Sequence, residues 1–107
     1  MIYHVTATLT QARAAELLQR LQDGSIAGQR PDGPELVASM HRAVINAEGQ
    51  AEWSELCYCN PPLAHERATV LDHHFTDIRT TPIDEHRTVE GQPLMEVLRS
   101  LAARASA

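Results

Sequence analysis

The first two dozen residues pass from one hydrophobic period to another without a break. Tyr3, Val5, Ala7 and Leu9 alternate with Ile2, His4, Thr6 and Thr8, the period of a strand. From Thr10 onward Ala14, Leu17, Leu18 and Leu21 recur at helical spacing, with Thr8 or Thr10 placed to cap the helix and Gly24 to end it. A strand that runs into a helix demands a layered domain, because the apolar face of one must bury the apolar stripe of the other. At 107 residues there is room for one such core and not for two. The expectation is a single α+β domain over 1–107, with any site on that scaffold or between copies of it.

Residues 24–34 collect three glycines and two prolines and read as a connecting loop. Two apolar runs follow, 36–45 and 51–59, separated by the turn-forming stretch Asn46-Ala-Glu-Gly-Gln, and are predicted to pair as an antiparallel hairpin. Asn60 before Pro61 and Pro62 suggests an N-cap with proline in the first turn, and Leu63, Val70 and Leu71 give that helix an inward stripe ending near His74. A last strand over 75–81, a polar connection over 82–92 and a C-terminal helix over 93–105 complete the chain. This order predicts a ferredoxin-like βαββαβ plait over 1–81, a four-stranded antiparallel sheet with two helices on one face, plus the extra C-terminal helix. Both parities of the 36–45 run are apolar, with Leu36, Ala38, Met40 and Val44 opposite Val37, Ala43 and Ile45. A strand of that kind needs cover on both faces, either from the C-terminal helix folding back or from a second copy packed sheet to sheet, and the homodimer is the favoured expectation.

Composition removes several function classes. All nine basic residues are arginine, which excludes lysine Schiff-base chemistry and a phosphate-loop lysine. With 14 acidic residues, a net charge of -5 and arginines scattered singly from Arg13 to Arg104, the chain lacks the basic footprint of nucleic-acid or anionic-membrane binding. No apolar run reaches the roughly 20 residues of a membrane span, and the start lacks the basic and apolar regions of a secretory signal. The expected compartment is the cytoplasm, with Cys57 and Cys59 as reduced thiols. Neither a nucleotide loop, a nucleophile elbow nor an H-E-x-x-H occurs.

What remains is chemistry in one stretch. Both cysteines and His65, His73 and His74 lie within 57–74. Cys59, His65 and His73 are the candidate metal ligands, with Glu66 beside them. A regular strand would hold Cys57 and Cys59 about 6.6 Å apart, and a straight helix would carry His73 about 20 Å from the thiols, so one copy falls short of a structural zinc set. No cofactor other than such a metal is implied. His74 shares the apolar stripe and reads as a core-edge residue.

The hairpin offers a second constellation. If Ile45 faces Ala51, then His41 faces Glu55, Ser39 faces Cys57 and Ala43 faces Trp53, which places a thiol diagonally beside a histidine with a carboxylate partner. His41, Glu55 and Cys57 are therefore the candidate catalytic residues, an activated nucleophile or an oriented general base. His4, Arg42 and Trp53 are the candidate ligand contacts, while His86 in its polar stretch reads as solvated. Against this stands the plainer outcome of a cross-strand His/Glu pair beside a thiol that packs as a small hydrophobe. Three functions follow: a small-molecule-binding or small-molecule-modifying domain, an assembly or regulatory module, and a metal-binding protein.

Overall fold

The computed structural model describes residues 1–105; the last two residues of the expected domain lie outside it. The chain is α+β, with a five-stranded antiparallel sheet in the order β4-β1-β3-β2-β5. The strands are β1 (Ile2–Leu9), β2 (Val44–Ile45), β3 (Ala51–Leu56), β4 (Phe75–Ile83) and β5 (Gln92–Pro93). Helices α1 (Ala14–Gln22) and α2 (Gly33–Arg42), a helical segment over 64–74 and the C-terminal helix (Leu94–Ala105) supply the second layer. No helix among the described residues is long and apolar enough to cross a membrane.

β1 forms as its alternation requires. Tyr3, Val5, Ala7 and Leu9 are buried, and their partners on β3, Glu55, Trp53 and Ala51, share the inner face. These residues form one core with Leu17 and Leu21 of α1, Leu36 and Met40 of α2, Val70 and Leu71, and Leu94 and Leu98 of the C-terminal helix. Trp53 is 1% exposed and lies against Phe75 with ring centroids 5.3 Å apart, a tilted aromatic pair at its centre. The predicted helix after Thr10 begins as a 3-10 turn, Gln11–Arg13, and continues as α1, after which Gly24 takes a φ of +84°.

The largest correction concerns 36–45. The run is not a strand but α2 as far as Arg42, and only Val44 and Ile45 are extended. From Leu36 to Ala43 the buried positions are Leu36, Ser39, Met40 and Ala43, a spacing of three, four and seven. A helical stripe of this width places apolar residues at both parities, which explains the doubly apolar pattern without a second strand face. The observation that pointed to a covering second copy is therefore accounted for within one chain. Asp32 precedes Gly33 and Pro34, so proline occupies the first turn, where its missing N–H costs nothing. Gly33 lies so close to the carbonyls of Ile26 and Ala27 that a Cβ has no room there, which seats the start of α2 on the preceding loop.

The turn is as expected. Ile45 pairs with Ala51, the Asn46 side-chain oxygen accepts from the amides of Glu48 and Gln50 at 3.0 Å each, and Gly49 has a φ of +81°. Pairing stops at Val44 with Glu52, because Ala43 already belongs to the helix exit. β5 then extends the sheet beyond β2, a fifth strand where four were expected. β4 runs two residues further than expected, to Ile83, and carries a bulge: Thr6 and Thr8 of β1 face Arg79 and Thr76, which leaves one extra residue on β4, and Asp77 there has a φ of 52°.

The second predicted helix starts late. Asn60 does not cap it: the Asn60–Pro61 peptide is cis, Leu63 is left-handed at a φ of 61°, and helix begins at Ala64. Residues Arg67–Leu71 form a π turn, and the segment ends at His74 as anticipated. Leu63, Val70 and Leu71 are its buried stripe, and His74 is buried with them.

Candidate functional site

β3 ends at Leu56, and the chain there turns away from the sheet instead of continuing to Cys59. Glu35, in the first turn of α2, fixes that exit: its Oε2 accepts from the Leu56 amide at 2.9 Å, from Arg42 Nη2 at 2.9 Å and from Ser39 Oγ at 3.3 Å. Arg42 also donates to the Ser54 carbonyl at 2.9 Å, so it ties α2 to β3 and does not line the pocket. Because 57–59 is a bend and not a strand, the two thiols come together. The Cys59 amide donates to Cys57 Sγ at 3.1 Å, and Cys59 Sγ donates to Glu66 Oε1 at 3.2 Å. Cys57 Sγ, Cys59 Sγ and a Glu66 oxygen all lie within 4.8 Å of one another, which corrects the separation expected of a straight strand.

These groups form one wall of a pocket of about 370 Å³, lined also by Pro31, Asp32, Glu35, Leu56 and Tyr58. Of these, Tyr58 is 86% exposed. Asp32 Oδ2 bonds His65 Nδ1 at 2.5 Å, and Asp32, His65 and Glu66 form a second group within 4.8 Å that shares Glu66 with the first. Asp32 Oδ1 is buried without a hydrogen-bond partner among the described residues, and the carboxyls of Glu55 and Glu66, each with one buried oxygen that no N–H reaches, lie against each other. Three of the five such buried atoms among the described residues are these carboxylate oxygens, a departure from the usual satisfaction of buried polar groups.

The electrostatics follow from burial. Glu55, fully buried, has its pKa pushed from 4.5 to about 8 by loss of solvent; the Trp53 indole N–H, 2.8 Å from Oε1, opposes this, while the neighbouring carboxylates of Glu66 and Glu35 add to it. Burial also pushes the Cys57 thiol up, to about 12, so alone it is a poor nucleophile.

The expected catalytic set does not assemble. His41 stands on the exposed side of α2, its Nδ1 2.9 Å from its own helix's Val37 carbonyl, because the strand register needed to bring it opposite Glu55 ends at Val44. Glu55 and Cys57 instead meet through Glu66. Trp53 is core and does not line this pocket, and His4 lies on the outer sheet face with Nε2 2.6 Å from Glu52 Oε2. Of the expected metal set, Cys59 and His65 belong to the cluster, while His73 is exposed at the other end of the helical segment, where its carbonyl accepts from Arg13 at 3.0 Å. His86 is not simply solvated, since its Nδ1 is 2.7 Å from the buried Ser54 hydroxyl.

Asp32 and Glu35 were not anticipated. The signal lay in Asp32-Gly33-Pro34-Glu35, an acidic residue, a proline in the first turn and a further carboxylate, which together mark a helix start. Searches with this chain against family models, curated proteins and solved structures return no match, so the site is read from its own chemistry.

Proposed function

We propose that the chain is a small-molecule-binding or small-molecule-modifying domain whose pocket lies between the start of α2, the exit of β3 and the helical segment 64–74. The observation that carries this reading is a buried acceptor, Asp32 Oδ1, left without a partner among the described residues on the wall of a largely apolar pocket, beside the Glu66 carboxyl. Such atoms recover their desolvation cost only when a donor reaches them. The favoured occupant is a small cation or a donor-bearing organic group, oriented by the carboxylates and packed against Pro31, Leu56 and Tyr58. Free thiols at 57 and 59 suit a cytoplasmic setting. The partial order β4-β1-β3-β2 supports reading the sheet as a ferredoxin-like plait with β5 added, an architecture that hosts many unrelated functions and so leaves the site to speak for itself. The homodimer expected from the sequence would use the outer sheet face around His4 and Thr6, since the helices fill the inner one.

The test is amide chemical-shift mapping with benzylamine and imidazole as probes, in the presence of a chelator. Saturable shifts centred on Asp32, Cys59 and Glu66, weakened in Asp32→Asn, support the reading. Shifts scattered over the surface, or unaffected by Asp32→Asn, reject it.

A further inference from the structure

We propose that the inner wall of this pocket is a site for a thiophilic divalent cation of the zinc class, held by Cys57 Sγ, Cys59 Sγ and one carboxylate oxygen of Glu66, with a fourth position open to the pocket. The proposal deepens the small-molecule reading and rests on the same pocket. Ligands about 2.0–2.3 Å from a tetrahedral zinc stand roughly 3.3–3.8 Å from one another. Cys59 Sγ and Glu66 Oε1 are already 3.2 Å apart, and the three ligand atoms lie within 4.8 Å, so contraction of about 1 Å or less closes the set.

An independent observation points the same way. Glu66 is 1% exposed and lines the pocket, yet its carboxyl meets the Cys57 and Cys59 thiols and the Glu55 carboxyl and is ion-paired with no arginine among the described residues, a buried acid left without a cation. A purely packed interior would place an apolar residue there. Donor type decides the cation: two sulfurs select zinc-like metals over magnesium or calcium, which take oxygen cages. Binding replaces the two thiol protons, so the cation enters as two protons leave and the three anionic ligands exceed its charge by one. Three protein ligands leave the fourth position for water or substrate, and Asp32, with Oδ1 free and Oδ2 on His65, stands beside it to accept a proton or hydrogen bond. His73 takes no part.

The experiment is titration of the full reduced chain, stripped with chelator, with cobalt(II), followed by displacement with zinc. The expected result is a thiolate-to-cobalt charge-transfer band that saturates at one equivalent, with visible bands of tetrahedral intensity, both abolished by zinc. Cys59→Ser removes the band, Glu66→Gln weakens cobalt affinity at least tenfold with the band retained, and His73→Ala changes nothing. Cys57 is in the core, so Cys59→Ser, at a half-buried position, is the deciding variant, with Trp53 emission and circular dichroism confirming the fold. No charge-transfer band at a hundredfold excess of cobalt over folded protein, or a band that survives Cys59→Ser, overturns the proposal. A missing band with intact benzylamine shifts defeats the metal site alone, whereas a cobalt band without organic binding in chelator defeats only the small-molecule reading.

Discussion

Acidification destabilises this fold through one imidazole. His74 is fully buried, its Nε2 lies 3.3 Å from Arg20 Nη1 and its Nδ1 has no partner. Burial lowers its pKa from 6.5 to about 4; the Glu16 carboxylate opposes that, and the charges of Arg20, Arg13 and His73 reinforce it. The unfolded chain therefore binds the proton at a higher pH than the native one. The contribution to stability is whole above about pH 6.5, is lost as pH falls towards 4, and is level below. That interval, at about 1.4 kcal/mol per pH unit, is worth about 3 kcal/mol. His74→Gln keeps an acceptor for Arg20 and cannot titrate, so its stability lacks this dependence while any packing loss is the same at every pH. Urea unfolding at pH 4 to 7.5, followed by the emission of the single tryptophan, Trp53, yields both curves. Carboxylates that titrate in this range cancel in the difference between wild type and variant. That difference is expected to change by about 3 kcal/mol, in favour of the variant as pH falls; a difference constant to about 0.5 kcal/mol refutes the argument.

Three further outcomes follow from the same structure. Glu55 acts in the opposite direction: its pKa is raised from 4.5 to about 8, so its contribution is present below pH 4.5 and is lost as pH rises through about 8, and Glu55→Gln should flatten that limb in metal-free urea melts. In α2, Leu36→Ala or Met40→Ala should cost about 2–5 kcal/mol by thermal or chemical denaturation, whereas exposed His41→Ala should stay within about 0.5 kcal/mol; a large loss at His41 would contradict the helix. With iodoacetamide at pH 8 and no metal, peptide mapping should show Cys59 modified at least about tenfold faster than Cys57, which is buried and has its pKa pushed to about 12; equal rates would mean that Cys57 is open to solvent.

Much of the scaffold was legible because periodicity survives wherever one face is buried. The β1 alternation, the α1 stripe, the Asn46–Gly49 turn, the Ile45–Ala51 pairing and the C-terminal helix all read directly from spacing. The 36–45 run did not, because short apolar stretches fit both periods. The helix start at Asp32-Gly33-Pro34 decides between them only when weighed with the run that follows. That single substitution of helix for strand moved His41 out of the site and brought Asp32 and Glu35 in. The sequence puts both thiols in one stretch, but their reach was misjudged: the exit of the chain after Leu56 is held by Glu35, a contact 21 residues distant that no local pattern encodes. Nor did any spacing announce the π turn over Arg67–Leu71 or the left-handed Leu63.

The two margins of the sheet bear on how this protein behaves when crowded. A strand margin with free amides and carbonyls recruits other chains and seeds fibrils. Here β5 closes one side with two residues, one of them Pro93, which has no N–H to offer. On the other side β4 is nine residues long, but its bulge at Asp77 breaks the hydrogen-bonding ladder, Arg79 adds charge, and Pro82 removes another donor. Both sides are thus blunted by different means, and neither offers a neighbouring chain a continuous template.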